Sequence, residues 1–247
     1  MSQLGEIQER IEITGEAISR AERALALHPD RLSTAATLRA FVLMRERLER
    51  DFLREAETLE LGVFSYRVEF PNRARATISG LTGALGTFQK LFTTVYDAIV
   101  NGPKKRAKPS AEVVDATAFG FSYTFPGSVG FMMTLANERL LLGQTKLDEA
   151  MDKTFALVKT RDELGIQAMT ETVGLPAVRL VHQWAVENDK AGFGADLIWQ
   201  PRHGERSELR VQPQEIRDLA YVVSSAMAKE QVEAIGDLVH VNMFDKS

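Results

Sequence analysis

The sequence predicts an α+β protein: an N-terminal antiparallel coiled-coil-like helical hairpin followed by a mainly antiparallel sheet packed with helices. Three observations predict it. Apolar residues recur every three or four positions on two stretches within the first 60 residues. Period-two alternation takes over near residue 63, and the strand-like segments that follow are joined more often as hairpins than by long crossovers.

Leu4, Ile7, Ile11, Thr14, Ile18, Ala21 and Leu25 form the first seam, and Leu38, Phe41, Arg45, Leu48, Phe52, Glu55 and Leu59 the second. A seam repeating every seven residues keeps one helical face against a partner. Between them, in "HPDRLS", Pro29 stops the first helix and Ser33 or Asp30 is placed to cap the second. Each helix should run about 25 residues, or roughly 37 Å. Thr14, Arg45 and Glu55 interrupt the seams, and a lone hairpin with such positions buries too little to stand alone. The arm, residues 1–61, is therefore expected to pack on the α+β domain of residues 62–247 or on another molecule. Ile7, Ile11, Ile18, Leu38, Leu48 and Phe52 are its expected partner-binding residues.

In "VFSYRVEF", Phe64, Tyr66, Val68 and Phe70 alternate with Ser65, Arg67 and Glu69, which predicts a strand with one buried face. A helix is expected from about Ala74 to Val100, with Ile78, Leu81, Leu85, Phe88, Phe92, Val95 and Ile99 on its core face. Gly80, Gly83 and Gly86 lie inside it, each costing about 1 kcal/mol against alanine, so close packing on a sheet is expected there. After the basic loop "NGPKKRAKPS", the strands "AFGFSYTF" and "VGFMMTLA" read as a hairpin around "PGS". Alternation puts Phe119, Phe121, Tyr123 and Phe125 on one face, as a cover for the central helix rather than a stacking platform for bases.

One or two helices are expected between Leu147 and Thr170, and another with Pro176 in its first turn, reaching Lys190. The strands "ADLIWQ" and "SELRV" frame the loop "PRHGER". A final helix should start near Pro213 and stop before Gly236, leaving "DLVHVNM" as a last strand.

The 247 residues include no cysteine, which excludes disulfides, thiolate metal sites and cysteine nucleophiles. No apolar run reaches eighteen residues and the N-terminus has no secretory pattern, so a cytoplasmic location without membrane insertion is expected. The net charge of −4 is uneven: residues 61–110 carry eight basic and two acidic side chains, while the flanking regions are acidic. Such a basic segment favours nucleic acid or another polyanion. Its candidate residues are Arg73 and Arg75, at the start of the central helix with Asn72 and Thr77 as further donors, and Lys104, Lys105, Arg106 and Lys108 beyond its end. Ion pairing with the acidic arm is the competing use of Arg73 and Arg75.

Catalytic patterns are sparse. His28, His182, His203 and His240 lack metal-ligand spacing, and His182 is expected to be a hydrogen-bonded structural residue. Neither a serine elbow, a phosphate loop nor a dinucleotide glycine pattern occurs, and no cofactor is expected. Asp196 with Glu208 and Arg210 on the next strand resembles the carboxylate pair and cation of metal-dependent nucleases. Lysine usually stands where Arg210 is, and arginine does not readily give up its proton. A non-catalytic assembly or adaptor subunit is the expected function, oligomerising or docking on a protein partner through the arm and offering polyanion contact through the basic segment. A metal-dependent nuclease is the alternative.

Overall fold

A computed structural model describes residues 2–70, 76–106, 108–125, 129–136, 144–201 and 205–244, with only the helical backbone for 229–244. Helices α1 (Gln3–Leu27) and α2 (Leu32–Thr58) form the arm, followed by β1 (Leu61–Glu69), α3 (Ile78–Asn101), α4 (Ala111–Ala116), β2 (Gly120–Phe125) and β3 (Val129–Ala136). Then come α5 (Lys146–Lys159), α6 (Glu163–Val173), α7 (Leu175–Ala191), β4 (Gly194–Gln200), β5 (Ser207–Val211) and α8 (Pro213–Phe244). The class is α+β. The sheet has the order β2-β3-β1-β4-β5, and β3 runs antiparallel to both β1 and β2.

The chain divides into two compact units. The first contains the arm, β1, residues 119–145 with β2 and β3, most of β4 and the start of β5. Ser2 begins α1 by accepting a hydrogen bond from the Gly5 amide at 3.3 Å. Neither Asp30 nor Ser33 caps α2: the helix begins at Leu32 with Arg31 in the capping position and no side-chain cap. Glu60, in the left-handed region at φ 63°, turns the chain from α2 into β1. One face of each arm helix closes over the sheet: Leu4, Ile7, Ile11, Leu48, Phe52 and Ala56 form one core with Val63 of β1 and Tyr123 of β2. The edge of the Phe52 ring meets Tyr123 at a centroid distance of 5.2 Å.

Pairing assigns the sheet faces. Ser65 lies opposite Met132 and Arg67 opposite Gly130, whereas Phe64 lies opposite Met133 and Tyr66 opposite Phe131. Val63, Ser65 and Arg67 thus share the arm side, and Phe64, Tyr66 and Val68 the other. The expected single aromatic face of β2 does not form. Phe121 pairs with Met133 but Tyr123 pairs with Met132, so Ser122 is the extra residue of a bulge and the side-chain alternation reverses there. Tyr123 is buried beneath the arm while Phe121 stays 61% exposed. Phe119 stacks on Phe64 at 4.9 Å.

The second unit comprises residues 70–118, 146–195 and 209–247. Its centre is α3, whose residues 91–98 are all buried. The helix starts at Ile78, later than expected, where the Thr77 hydroxyl accepts from the Gly80 amide at 3.1 Å. Gly80 and Gly83 of α3 serve a helix rather than a sheet, while a methyl group on Gly86 would meet none of the described residues. A methyl group on Gly80 would press on Ala191 and Phe193, and one on Gly83 would press on Glu187, so α3 and α7 approach closely. The short α4, absent from the sequence reading, is capped by Ser110 and ends at Thr117, whose hydroxyl hydrogen-bonds Thr93 of α3 at 2.8 Å. Ile216, Leu219 and Val223 bury the first half of α8. This helix continues through Gly236 to Phe244, so the expected terminal strand is helical. A run of seven residues with mixed apolar and polar positions fits either period, and an interior glycine costs a long helix only about 1 kcal/mol.

Candidate functional site

The arm and the sheet enclose a cleft of about 450 Å³, lined from α1 by Ile18 and Glu22 and from α2 by Val42, Arg45, Glu46, Glu49 and Leu53. The sheet contributes Val63, Ser65, Arg67, Tyr123, Phe125 and Met132, and Ile198, Gln200 and Arg206 complete the lining. This volume lies within the ordinary range of ligand pockets, and the lining divides evenly between apolar or aromatic side chains and polar ones, most of the latter charged.

Arg45 builds the inner wall. Its seam position points it under α1, where Gly15 has no side chain: Nη1 lies 3.1 Å from the place a Cβ would take. Nε donates to Glu49 Oε1 at 2.8 Å, and Nη2 reaches the Thr124 carbonyl at 3.5 Å. The guanidinium is nearly buried, and the adjacent carboxylate one turn away offsets the cost of that burial. Beside it, burial and then the charge of Glu49 hold the Tyr123 hydroxyl above the ordinary tyrosine range, with Arg45 acting in the opposite direction.

Arg67 is positioned across three strands. Gly130 lies between Arg67 on β1 and Phe125 on β2, and any side chain on Gly130 would overlap the Phe125 ring. The ring settles there, and the Arg67 guanidinium sits over it, 5.0 Å from its centroid. Among the described residues Arg67 pairs with this ring and with no carboxylate. Arg206 donates from Nε to Glu208 at 2.7 Å.

No known protein family matches this chain, and no curated protein or solved structure is significantly similar to it. Function must therefore be read from the placement of the residues themselves.

Of the residues expected to meet a partner, Ile7, Ile11, Ile18, Leu48 and Phe52 are buried within the chain, and Leu38 is half-buried. The seam that made them visible is the seam between the arm and its own sheet. A different face of α2 stays open: Leu32, Ala36, Ala40, Leu43 and Met44 are all exposed, Leu43 by 64%, and Arg47, Arg50 and Arg54 continue the same side. Spacings of four, four and three place Leu32, Ala36, Ala40 and Leu43 on one stripe.

The basic candidates separate. Arg73, Arg75 and Asn72 lie outside the described residues, and Thr77 caps α3. Lys104 belongs to a packed pair: its Nζ donates to both oxygens of Asp97, at 2.7 and 2.9 Å, and Asn101 also donates to Asp97 Oδ1. Its backbone lies against Gly174, which has φ 82°. Lys105, Arg106 and Lys108 are exposed. For the nuclease alternative, Asp196 is half-buried on β4, while Glu208 and Arg210 are exposed on β5 and Glu208 is joined to Arg206. No three histidine or acidic side chains converge on a metal position among the described residues. His182 is half-buried on α7, and burial holds its imidazole below the ordinary histidine value. No helix is long and apolar enough to cross a membrane among the described residues.

Proposed function

We propose that the protein is a non-catalytic assembly subunit that pairs with a second copy of itself through the outward face of α2. The observation that carries this reading is the exposed stripe of Leu32, Ala36, Ala40, Leu43 and Met44 on a helix whose opposite face is already buried. A helix apolar on two faces has one more interface than its own fold uses.

Size favours a second copy as the occupant. In an antiparallel pair of α2 helices centred on Ala40, each Ala36 meets the partner's Met44, so small positions receive large ones. The two Ala40 residues face each other, which permits a short interaxial distance. Arg47 then lies opposite Ser33 at the start of the other copy's α2. A twofold axis through Ala40 makes every such contact occur twice.

The chain has no cysteine, so one introduced thiol reports this geometry without interference. Ala40→Cys should form a disulfide-linked dimer under mild oxidation, because a disulfide needs Cα atoms within about 7 Å. Gln183→Cys, at an exposed position of α7, should stay monomeric on denaturing gels. Equal cross-linking of both variants, or none at Ala40→Cys, would reject the pairing.

A second reading, polyanion contact by the basic loop, is supported by the exposure of Lys105, Arg106 and Lys108. Lys104 is left out of it, since Asp97 already holds its ammonium group.

A further inference from the structure

We propose that the cleft between the arm and the sheet binds an amphipathic anion, an aliphatic chain with a carboxylate or phosphate head, with the head on Arg67 and the chain along Val63, Met132, Leu53 and Ile198. This site is independent of the α2 pairing surface.

The chemistry of the lining selects the ligand. Val63 and Met132 from the sheet, Val42 and Leu53 from α2, and Ile198 from β4 supply aliphatic wall without a hydrogen-bonding group. An alkyl chain gains by leaving water against such a surface, in proportion to the apolar area it buries. The sign of the head follows from which lining charge is both held in place and left with donors to offer. Glu49 is occupied by Arg45 at 2.8 Å, whereas Arg67 rests on an aromatic face that leaves its guanidinium edge able to donate. A guanidinium edge matches the two oxygens of a carboxylate or phosphate. Arg206 of the same lining is already paired through its Nε with Glu208, so Arg67 carries the recognition of the head. Glu22 and Glu46 of the arm helices are exposed, as Arg67 is, and the difference that selects an anion is that the Phe125 ring holds the Arg67 guanidinium in place.

Pre-organisation distinguishes Arg67 from an ordinary surface arginine. Gly130 makes room for the Phe125 ring, and the ring holds the guanidinium, so part of the ordering cost of binding is met before a ligand arrives. Gly130 is thus a positioning residue for the anion site.

Calorimetric titration of the full chain with dodecanoate tests the assignment, with dodecyltrimethylammonium as the cationic counterpart and inorganic phosphate as a head without a tail. Dodecanoate should bind with one site per chain, at least tenfold more tightly than either control. Arg67→Gln should weaken dodecanoate at least tenfold, and Met132→Trp, which fills the cleft, should abolish binding. Arg67 is exposed, so its variant keeps the assignment testable even where Met132→Trp fails to fold. Equal binding of the cationic surfactant would overturn the proposal, as would an unchanged affinity in Arg67→Gln. Attachment to phosphatidylglycerol vesicles without binding of the monomeric anion would also overturn it, placing the affinity on a lipid surface instead.

Discussion

The guanidinium of Arg45 occupies the space that a side chain on Gly15 would fill, with Nη1 3.1 Å from the missing Cβ. A charged residue in the middle of an apolar helix seam becomes intelligible through this pair. The arginine crosses beneath α1 at its one glycine of that level, donates a hydrogen bond to Glu49 and another to the β2 backbone carbonyl of Thr124. Arm helices and sheet are pinned together at a single side chain.

Substitution at Gly15 should therefore depend on size. Gly15→Ala gains about 1 kcal/mol of helix propensity, and the guanidinium has to yield by a few tenths of an ångström, so the net change should be small. Gly15→Leu should destabilise by about 1–3 kcal/mol through overpacking. In denaturant unfolding, the double variant Gly15→Leu/Arg45→Ala should lose less than the sum of the two single changes, since the clash and the arginine disappear together. Strict additivity would mean that the two residues do not share the space.

Gly62 and Trp199 form a second obligatory pair. A methyl on Gly62 would overlap the six-membered ring of buried Trp199. Gly62→Ala should cost about 1–3 kcal/mol, and Trp199→Leu in that background should recover part of the loss, measured as the shift of the denaturation midpoint.

Alkaline pH should report Tyr123. Its hydroxyl is held above the ordinary tyrosine value in the folded protein, by burial first and Glu49 second. The folded state then keeps a proton that the unfolded state releases from about pH 10 upward. The stabilising contribution is complete below that pH and is lost as pH rises beyond it. Tyr123→Phe should flatten the alkaline fall in stability, and it should lower the tyrosinate absorbance gained on alkaline unfolding by one residue's worth.

The arm helices and the first strand were legible because their periods are long and regular: the three-four seams of α1 and α2 and the alternation from Val63 to Val68 leave little choice of structure. Arg45 was visible as an interruption, but its partner Gly15 lies thirty residues away and nothing local connects them. The aromatic row of β2 misled because one inserted residue, Ser122, reverses every later side chain. The segment after Gly236 misled because so short a run fits both periods. The cleft could not be foreseen, since its walls come from residues as distant as Ile18 and Arg206. The α2 stripe was present at spacings of four, four and three, yet two of its members are alanines, and the larger residues of the inner seam dominate any count of apolar positions.

The exposed loop residues Lys105, Arg106 and Lys108 give the polyanion reading a quantitative form. Three phosphate contacts imply a logarithmic salt slope of about −2.7, or a roughly 40-fold loss of affinity for duplex DNA between about 50 and 200 mM salt. Replacing all three with glutamine should remove the slope, as read by fluorescence anisotropy. Binding without salt dependence would assign the contact elsewhere.

Sedimentation equilibrium over a range of protein concentrations tests the central claim most directly. The chain has a mass of 27.5 kDa. The intact protein should approach twice that mass, and Ala40→Glu/Leu43→Glu, which places four like-sign charges on the paired stripe, should remain at the single-chain mass with unchanged helical content. A single-chain mass for the intact protein at the highest concentration, or an unaltered dimer in the double variant, would contradict assembly through the outward face of α2.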